Sequence, residues 1–329
     1  MLPRLARRTV ARACALLALS AAPLAAAAGP AAAAPLPGTA LLATLDPVPA
    51  SVDVIALVGT NRRLYTGLVG QGSLVDLGGE LHGTPLLVAG EQASYVVGLG
   101  KGDVPYVRSF QRAWRRLAPA GITCQGPSAA VSGATLTVSC RGSNGHLWSG
   151  STQLAGDALP YVATWTDRGG SVPYGTVAGV DAAGVVSYEV VGTDHASYRK
   201  TGSKSFTRVA GAPLCFGPLS QDDISGGGRA CAAQDGALQV SSNDPADADG
   251  IATVRGRVVG RPGVARDVDG SSRYYVVGTD ARLYVANQPA GGTLRAFRSV
   301  PSRASLFGLS AASLGASSDT AQALGQLAG

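Results

Sequence analysis

The 329-residue chain carries 27 Lys and Arg against 21 Asp and Glu, a formal charge of +6, and four of its arginines (Arg4, Arg7, Arg8, Arg12) fall in the first twelve residues. Without them the charge is +2, and three lysines (Lys101, Lys200, Lys204) with no basic block exclude a nucleic-acid partner. Aromatics at 5% beside 45 Gly and 19 Pro suit many turns and short strands.

The basic start leads into an apolar run, residues 13–28, too short for a membrane span and followed by Ala-rich sites suited to signal peptidase. Residues 1–34 read as a signal peptide, with cleavage after Ala28 or Ala34 left open. Arg7-Arg8 invites a twin-arginine reading, but Thr9-Val10-Ala11 matches that signal poorly, so the Sec route is preferred. No second long apolar segment follows, and the mature protein is expected to be secreted with no membrane span. Sparse Lys, abundant Arg, Ala and Gly and a single Met suggest an actinobacterial source.

Residues 35–50, with Pro35, Pro37, Pro47 and Pro49, form an irregular lead-in. Unit one then offers a strand at 52–58, the turn Gly59-Thr60-Asn61, a strand from Leu64-Tyr65 and an outer strand near 73–77. Unit two offers strands at 95–98, 104–107 and 113–117, where Pro105 places the middle one near an edge or at a bulge. Unit three offers 136–140, Leu147-Trp148 and 161–165. Unit four offers 186–191, Tyr198 and 206–211; unit five, the most degenerate, 230–233, Leu238 and 254–260; unit six 274–277, Leu283-Tyr284 and 297–300.

Three phrases show the repeat: Leu57-Val58-Gly59-Thr60-Asn61-Arg62-Arg63-Leu64-Tyr65, Val190-Val191-Gly192-Thr193-Asp194-His195-Ala196-Ser197-Tyr198 and Val276-Val277-Gly278-Thr279-Asp280-Ala281-Arg282-Leu283-Tyr284. Each reads as a hairpin. Their glycines lie 133 and 86 residues apart, which gives units of about 44 and 43 residues, the length of a four-stranded propeller blade. Gly/Pro-marked passages lead into small-residue segments, each read as the innermost strand of the next blade. A last such segment, 305–309, is left over to complete unit one and close the ring. The expectation is an all-β, single β-propeller over residues 51–312, with four-stranded antiparallel blades, six in number; a seventh stays open at residues 40–44. Residues 313–329 read as a flexible tail.

Cys124 and Cys140 are 16 residues apart, as are Cys215 and Cys231, and the pairs are offset by two units. Of the three connectivities, Cys124–Cys140 with Cys215–Cys231 is favoured, in keeping with export. Each bridge would close a loop of about 15 residues, worth on the order of 3 kcal/mol. No clustered ligand spacing supports a metal, and no cofactor is expected.

Turns of the form Gly-x-Asp/Asn-x-x-Leu-Tyr/Trp, followed by an aromatic outer strand and Gly-Gly, resemble the lectin-like β-propellers of the Photorhabdus fucose-binding type. The clearest matches are Ser143-Asn144-Gly145-His146-Leu147-Trp148 and Asp280-Ala281-Arg282-Leu283-Tyr284, and the similarity spans roughly residues 50–310. The resemblance implies monosaccharide binding in pockets between blades, with aromatic rings stacked on the sugar face. Where that family carries outer-strand tryptophans, this chain has Leu74, Trp114, Trp165, Phe206, Arg255 and Phe297, which confines stacking to a few sites.

A sugar ring offers C–H faces to an aromatic and hydroxyls to nearby polar groups. Tyr65, Trp148, Trp165, Tyr198 and Tyr284, beside Asn61, Asn144, Asp194 and Asp280, supply both. The competing reading packs the rings between blades and assigns Asn and Asp to turn geometry. His82, His146 and His195 sit in separate loops and suggest no triad. Among Glu80, Glu91 and Glu189 no hydrolase pair stands out. Asn243-Asp244-Pro245-Ala246-Asp247-Ala248-Asp249-Gly250 lacks the regular spacing of a calcium loop, and Gly226-Gly227-Gly228 opens no helix. The expected function is therefore non-catalytic glycan recognition, with a cell-envelope or cell-surface protein scaffold as the alternative.

Overall fold

The strand Ser51–Gly59 is apolar on both faces: Val54, Ala56 and Val58 turn toward one neighbouring sheet, Ile55 and Leu57 toward another. A strand of this kind needs a sheet on each side, a condition met when sheets stand in a ring. The computed structural model describes residues 51–69, 74–88, 95–155, 158–180, 184–221, 229–241, 250–267, 269–301 and 306–315, and these form a six-bladed β-propeller of four-stranded antiparallel sheets. The leader, the lead-in with residues 40–44, Glu91, Gly226-Gly227-Gly228, residues 243–249 and the tail from 316 lie outside the described residues.

From the axis outward, blade 2 comprises His82–Val88, Tyr95–Gly100, Val104–Ser109 and Arg115–Arg116. Blade 3 comprises Gln125–Ser132, Thr135–Arg141, Leu147–Gln153 and Thr166–Gly169. Blade 4 has Thr176–Val180, Val186–Val191, Ser197–Thr201 and Thr207–Arg208. Blade 5 has Ser220–Gln221, Arg229–Ala232, Leu238–Ser241 and Ile251–Val254. Blade 6 has Val258–Arg266, Ser272–Gly278, Leu283–Gln288 and Arg298–Val300.

Blade 1 is closed by the chain's far end. Leu306–Gly315 is its inner strand and pairs with Ser51–Gly59, which continues to Leu64–Leu68 and Val75–Gly78. The closing strand runs past both the leftover segment 305–309 and the expected boundary at 312, because the nine-residue partner offers ladder positions as far as Ser51↔Gly315.

One main-chain hydrogen bond recurs at all six blade junctions. The N–H groups of Leu81, Cys124, Val172, Cys215, Val258 and Leu306, each leading into an inner strand, donate to the carbonyls of Arg62, Asp103, Gly145, His195, Gly236 and Ala281 at 2.8–3.0 Å. Every acceptor residue has a left-handed backbone, φ from 58° to 85°. That conformation turns the carbonyl out of the preceding blade's hairpin toward the next blade. Four of the six are not glycine, so the latch is held against an intrinsic cost of about 1–2 kcal/mol at each. The two disulfides sit beside this latch: Cys124–Cys140 and Cys215–Cys231, each with Cα atoms about 5.5 Å apart, tie the latch residue to the second strand of its blade. Between the blades, apolar side chains fill the gaps, and each fully buried leucine (Leu57, Leu64, Leu136, Leu147, Leu238, Leu283) contributes about 2 kcal/mol.

Three expectations need correcting. Outer strands in blades 2, 3, 4 and 6 begin one residue after the aromatic (Trp114, Trp165, Phe206, Phe297), so residues 161–165 are not a strand. In blade 5 the outer strand is Ile251–Val254 rather than 254–260, because Gly256 (φ 146°) turns the chain and Val258 already opens blade 6. Pro105 lies in the third strand, away from the sheet edge. It is tolerated there because the outer strand pairs only with Tyr106 and Val107, and the Pro105 carbonyl accepts from Leu117.

Candidate functional site

The hairpin turns were expected to present aromatic–polar pairs, and the structure brings the members of each pair together. In every turn but that of blade 2, the Asn or Asp accepts the N–H two residues on: Asn61 from Arg63, Asn144 from His146, Asp194 from Ala196, Asp235 from Ala237 and Asp280 from Arg282. The same side chain then bonds the aromatic four residues on. Tyr198 donates to Asp194 (2.9 Å), Tyr284 to Asp280 (2.7 Å) and Trp148 Nε1 to Asn144 (3.1 Å), while Asn61 donates to the Tyr65 hydroxyl (2.7 Å). These bonds lower the pKa of Asp194 and Asp280 and raise those of Tyr198 and Tyr284. The rings lie over the turn glycines. A Cβ on Gly142, Gly192 or Gly278 would meet Trp148, Tyr198 or Tyr284 at 2.5–2.9 Å. In blades 4 and 6 the predicted binding groups thus satisfy one another.

Blades 1 and 3 add more. Opposite Trp148 in the ladder stands Asp167 on the outer strand, and opposite Tyr65 stands Asp76. Asp167 accepts from Asn144 Nδ2 (3.2 Å), from Gly169 N–H (2.8 Å) and pairs with His146 Nδ1 (2.9 Å). The Gly169 amide first, then His146, hold its carboxyl below the usual range. Asp76 accepts from Arg63 (2.7 Å) and Gly78 N–H (2.8 Å), and its bond raises the Arg63 pKa. Each cluster places a carboxylate, a basic side chain (Arg63 or His146) and a half-buried ring together at the exposed rim. Blades 2, 4, 5 and 6 carry Arg116, Arg208, Thr253 and Ser299 at the equivalent ladder position. His146 and Asp167 were missed as site residues; only their cross-strand register reveals them.

The outer-strand aromatics pack between blades. Trp114 lies against Gly79, Phe206 against Gly170 and Phe297 against Gly256, each glycine having positive φ. Five residues before these glycines stand Leu74, Trp165 and Ile251, so Ile251, not Arg255, holds the outer place in blade 5. Trp165 is not part of the Trp148 cluster: its ring covers Cys124–Cys140 and its Nε1 donates to the Val162 carbonyl (3.2 Å). The Trp114 Nε1 is buried without a partner among the described residues, with the Arg108 guanidinium 5.7 Å from the ring centroid.

Charged groups buried between blades were also missed. Glu189, fully buried, bonds Arg229 (2.5 and 3.1 Å) and Arg199 (3.1 Å) between blades 4 and 5. Arg273 joins Asp53 (2.7 Å) and Asp267 (2.5 Å) between blades 6 and 1, and the Tyr275 hydroxyl donates to Asp53. Arg261 reaches from blade 6 across to the carbonyls of Pro127 (2.7 Å) and Thr176 in blades 3 and 4. Burial lowers its pKa to about 10, which leaves it charged at neutral pH. Among the described residues no three His, Cys, Asp or Glu side chains are placed to hold a metal, and no helix is long and apolar enough to cross a membrane.

No family model matches the chain, and no curated protein does. Solved structures similar to it include TolB from Acinetobacter baumannii, at 13% identity and a TM-score of 0.53, covering 80% of this chain and 66% of TolB. They also include the BP39L lectin from Burkholderia pseudomallei (13%, TM-score 0.46, covering 75% of this chain and 84% of BP39L) and the SapL1 lectin in complex with alpha methyl fucoside (12%, 0.46, covering 67% and 80%). The TolB likeness is one of fold.

Proposed function

We propose that this protein is a secreted, non-catalytic carbohydrate-binding propeller whose principal site is the blade 3 rim. The observation that carries the reading is the ladder pair Trp148↔Asp167: a half-buried indole beside an exposed carboxylate already oriented by Gly169, Asn144 and His146. The indole face suits the C–H face of a sugar ring, and the one acceptor site that Asn144, Gly169 and His146 leave on the carboxylate takes a hydroxyl in a charge-assisted bond, the stronger kind. Because these partners are fixed beforehand, little ordering is required on binding. Tyr65 with Asn61, Arg63 and Asp76 forms a smaller version on blade 1.

A glycan array followed by solution calorimetry tests the reading. The wild type is expected to bind defined glycans, with Trp148→Ala and Asp167→Asn each weakening binding at least tenfold while the melting curve stays cooperative. A wild-type protein that binds no glycan on the array at high concentration sinks the reading.

A further inference from the structure

Two residues past each latch stands a glycine in five of the six blades: Gly83, Gly126, Gly217, Gly260 and Gly308. Blade 4 has Tyr174 there instead. The position is one that glycine suits, since Gly83, Gly126 and Gly260 have φ of 80°, 53° and 76°. In blade 4 the chain avoids that conformation and places a ring at the site.

Tyr174 faces His195, the left-handed residue of its own blade's hairpin, with ring centroids 6.5 Å apart and an interplanar angle of 32°. His195 stacks in turn on Phe216 of the blade 5 lead-in at 4.0 Å and 19°. All three rings are half-buried. The stack is held by rigid neighbours. His195 Nδ1 lies 3.2 Å from the Cys215 carbonyl, Cys215 is bridged to Cys231, and the Phe216 N–H donates to Ala232 (2.9 Å). No other junction among the described residues gathers three rings in this way.

The Tyr174 backbone adjoins the blade 3 turn. The Val172 N–H that precedes Tyr174 donates to the Gly145 carbonyl (2.8 Å), and Gly145 stands between Asn144 and His146. Two residues of chain span about 7 Å at most, so Tyr174 starts within that distance of Val172. One end of the path, on blade 3, is polar with one indole; the other, toward the junction of blades 4 and 5, holds Tyr174 tilted against His195 and His195 stacked on Phe216.

From this placement, and resting on the carbohydrate reading above, we propose that the site takes an oligosaccharide rather than a single sugar. One ring sits at Trp148 and Asp167, and the following rings lie along Tyr174, His195 and Phe216. Ring contacts supply the binding at that far end, which tolerates more than one linkage because pyranose rings present C–H faces.

The test compares wild type, Trp148→Ala, Tyr174→Gly and His195→Gly against printed oligosaccharides and their component monosaccharides, with calorimetric titration of the array hits. Both glycine variants install the residue found at the equivalent position of sister blades, so folding is expected to survive and is checked by melting. The expected result is a wild type that prefers an oligosaccharide over its component sugar, and a loss of about tenfold in each glycine variant for the oligosaccharide alone, the worth of one stacking contact. Monosaccharide binding stays at the wild-type level in those variants and is lost in Trp148→Ala. If the wild type binds the monosaccharide as tightly as the oligosaccharide, or both glycine variants keep the oligosaccharide affinity, the proposal is overturned while the blade 3 reading stands. If the wild type binds no sugar, both fall.

Discussion

In blade 6 the Tyr284 ring lies over Gly278 and its hydroxyl donates to Asp280; in blade 5 the corresponding places are held by Gln239, Ala233 and Asp235. Both turns keep the Asp, the left-handed residue (Ala281 or Gly236) and the latch to the next blade. The comparison separates two layers of the repeat. The Asx turn and latch build the ring, whereas the glycine and the aromatic form a matched pair that can be replaced together. The flanks differ as well. Blade 5 meets blade 6 through apolar side chains (Leu238, Val240 and Val254 against Tyr274, Val276 and Ala286), but it meets blade 4 through the buried Glu189–Arg229 pair above a small apolar cluster.

The largest effect is expected at that second flank. Glu189→Ala leaves Arg229, 4% exposed, without its carboxylate, and removing one partner of a buried pair costs about 3–5 kcal/mol. The unfolding midpoint in denaturant should fall accordingly. Glu189→Met with Arg229→Met together should recover most of the loss, since the pair's net worth against apolar packing is small. A Glu189→Ala midpoint equal to that of the wild type would mean that the flank does not depend on charge pairing, and a double variant as weak as the single one would mean that the pair is worth more than apolar packing there.

These contrasts also show what could be read from the sequence. The hairpins, the unit length, the closing strand and the disulfide pairs were legible because turn chemistry and cysteine spacing are local. The outer strands were misplaced by a residue or more: ladders of two to four residues give periodicity little to register, and the Val254-Arg255-Gly256-Arg257-Val258-Val259 run hides a blade boundary inside β-branched sequence. Arg229 stands 40 residues from Glu189 and Arg273 stands 220 from Asp53. Such pairs depend on which faces of neighbouring blades meet, and a one-residue register choice decides that. Asp167 escaped notice for the same reason, since only the Trp148↔Asp167 register makes it a neighbour of the indole. Tyr174 stood out only once the latch gave the six passages a common origin.

A double-mutant cycle on blade 6 sharpens the matched-pair idea. In the wild type a Cβ at Gly278 would meet Asp280 Oδ1 at 2.7 Å and Tyr284 at 2.9 Å, so Gly278→Ala should cost about 1–3 kcal/mol, as overpacking does. In a Tyr284→Gln background, which copies blade 5, the same change should cost less than about 1 kcal/mol. The coupling between the two sites is then about 1 kcal/mol or more, in the range for residues in contact. Additive losses would show that glycine is needed there for another reason.

The smallest effect concerns the Tyr284–Asp280 bond, which blade 5 lacks because Gln239 stands in the place of Tyr284. The bond holds the Asp280 carboxyl below its ordinary value and pushes the Tyr284 phenol above its own. A depressed carboxyl pKa contributes stability that is present above the unfolded value, about 3.9, and is lost as pH falls through the folded one. A raised phenol pKa contributes stability that is present below about 10 and is lost as pH rises through the folded value. Tyr284→Phe removes both terms, so its deficit in melting temperature should be greatest between roughly pH 5 and 9 and should shrink on either side. In the variant the Asp280 carboxyl, followed by its side-chain carbon resonance, should titrate closer to its ordinary value, though the Arg282 N–H keeps it somewhat low. A deficit that stays constant across the whole range would assign the role of Tyr284 to ring packing over Gly278 alone, and blade 5 would then differ from blade 6 in shape rather than in charge.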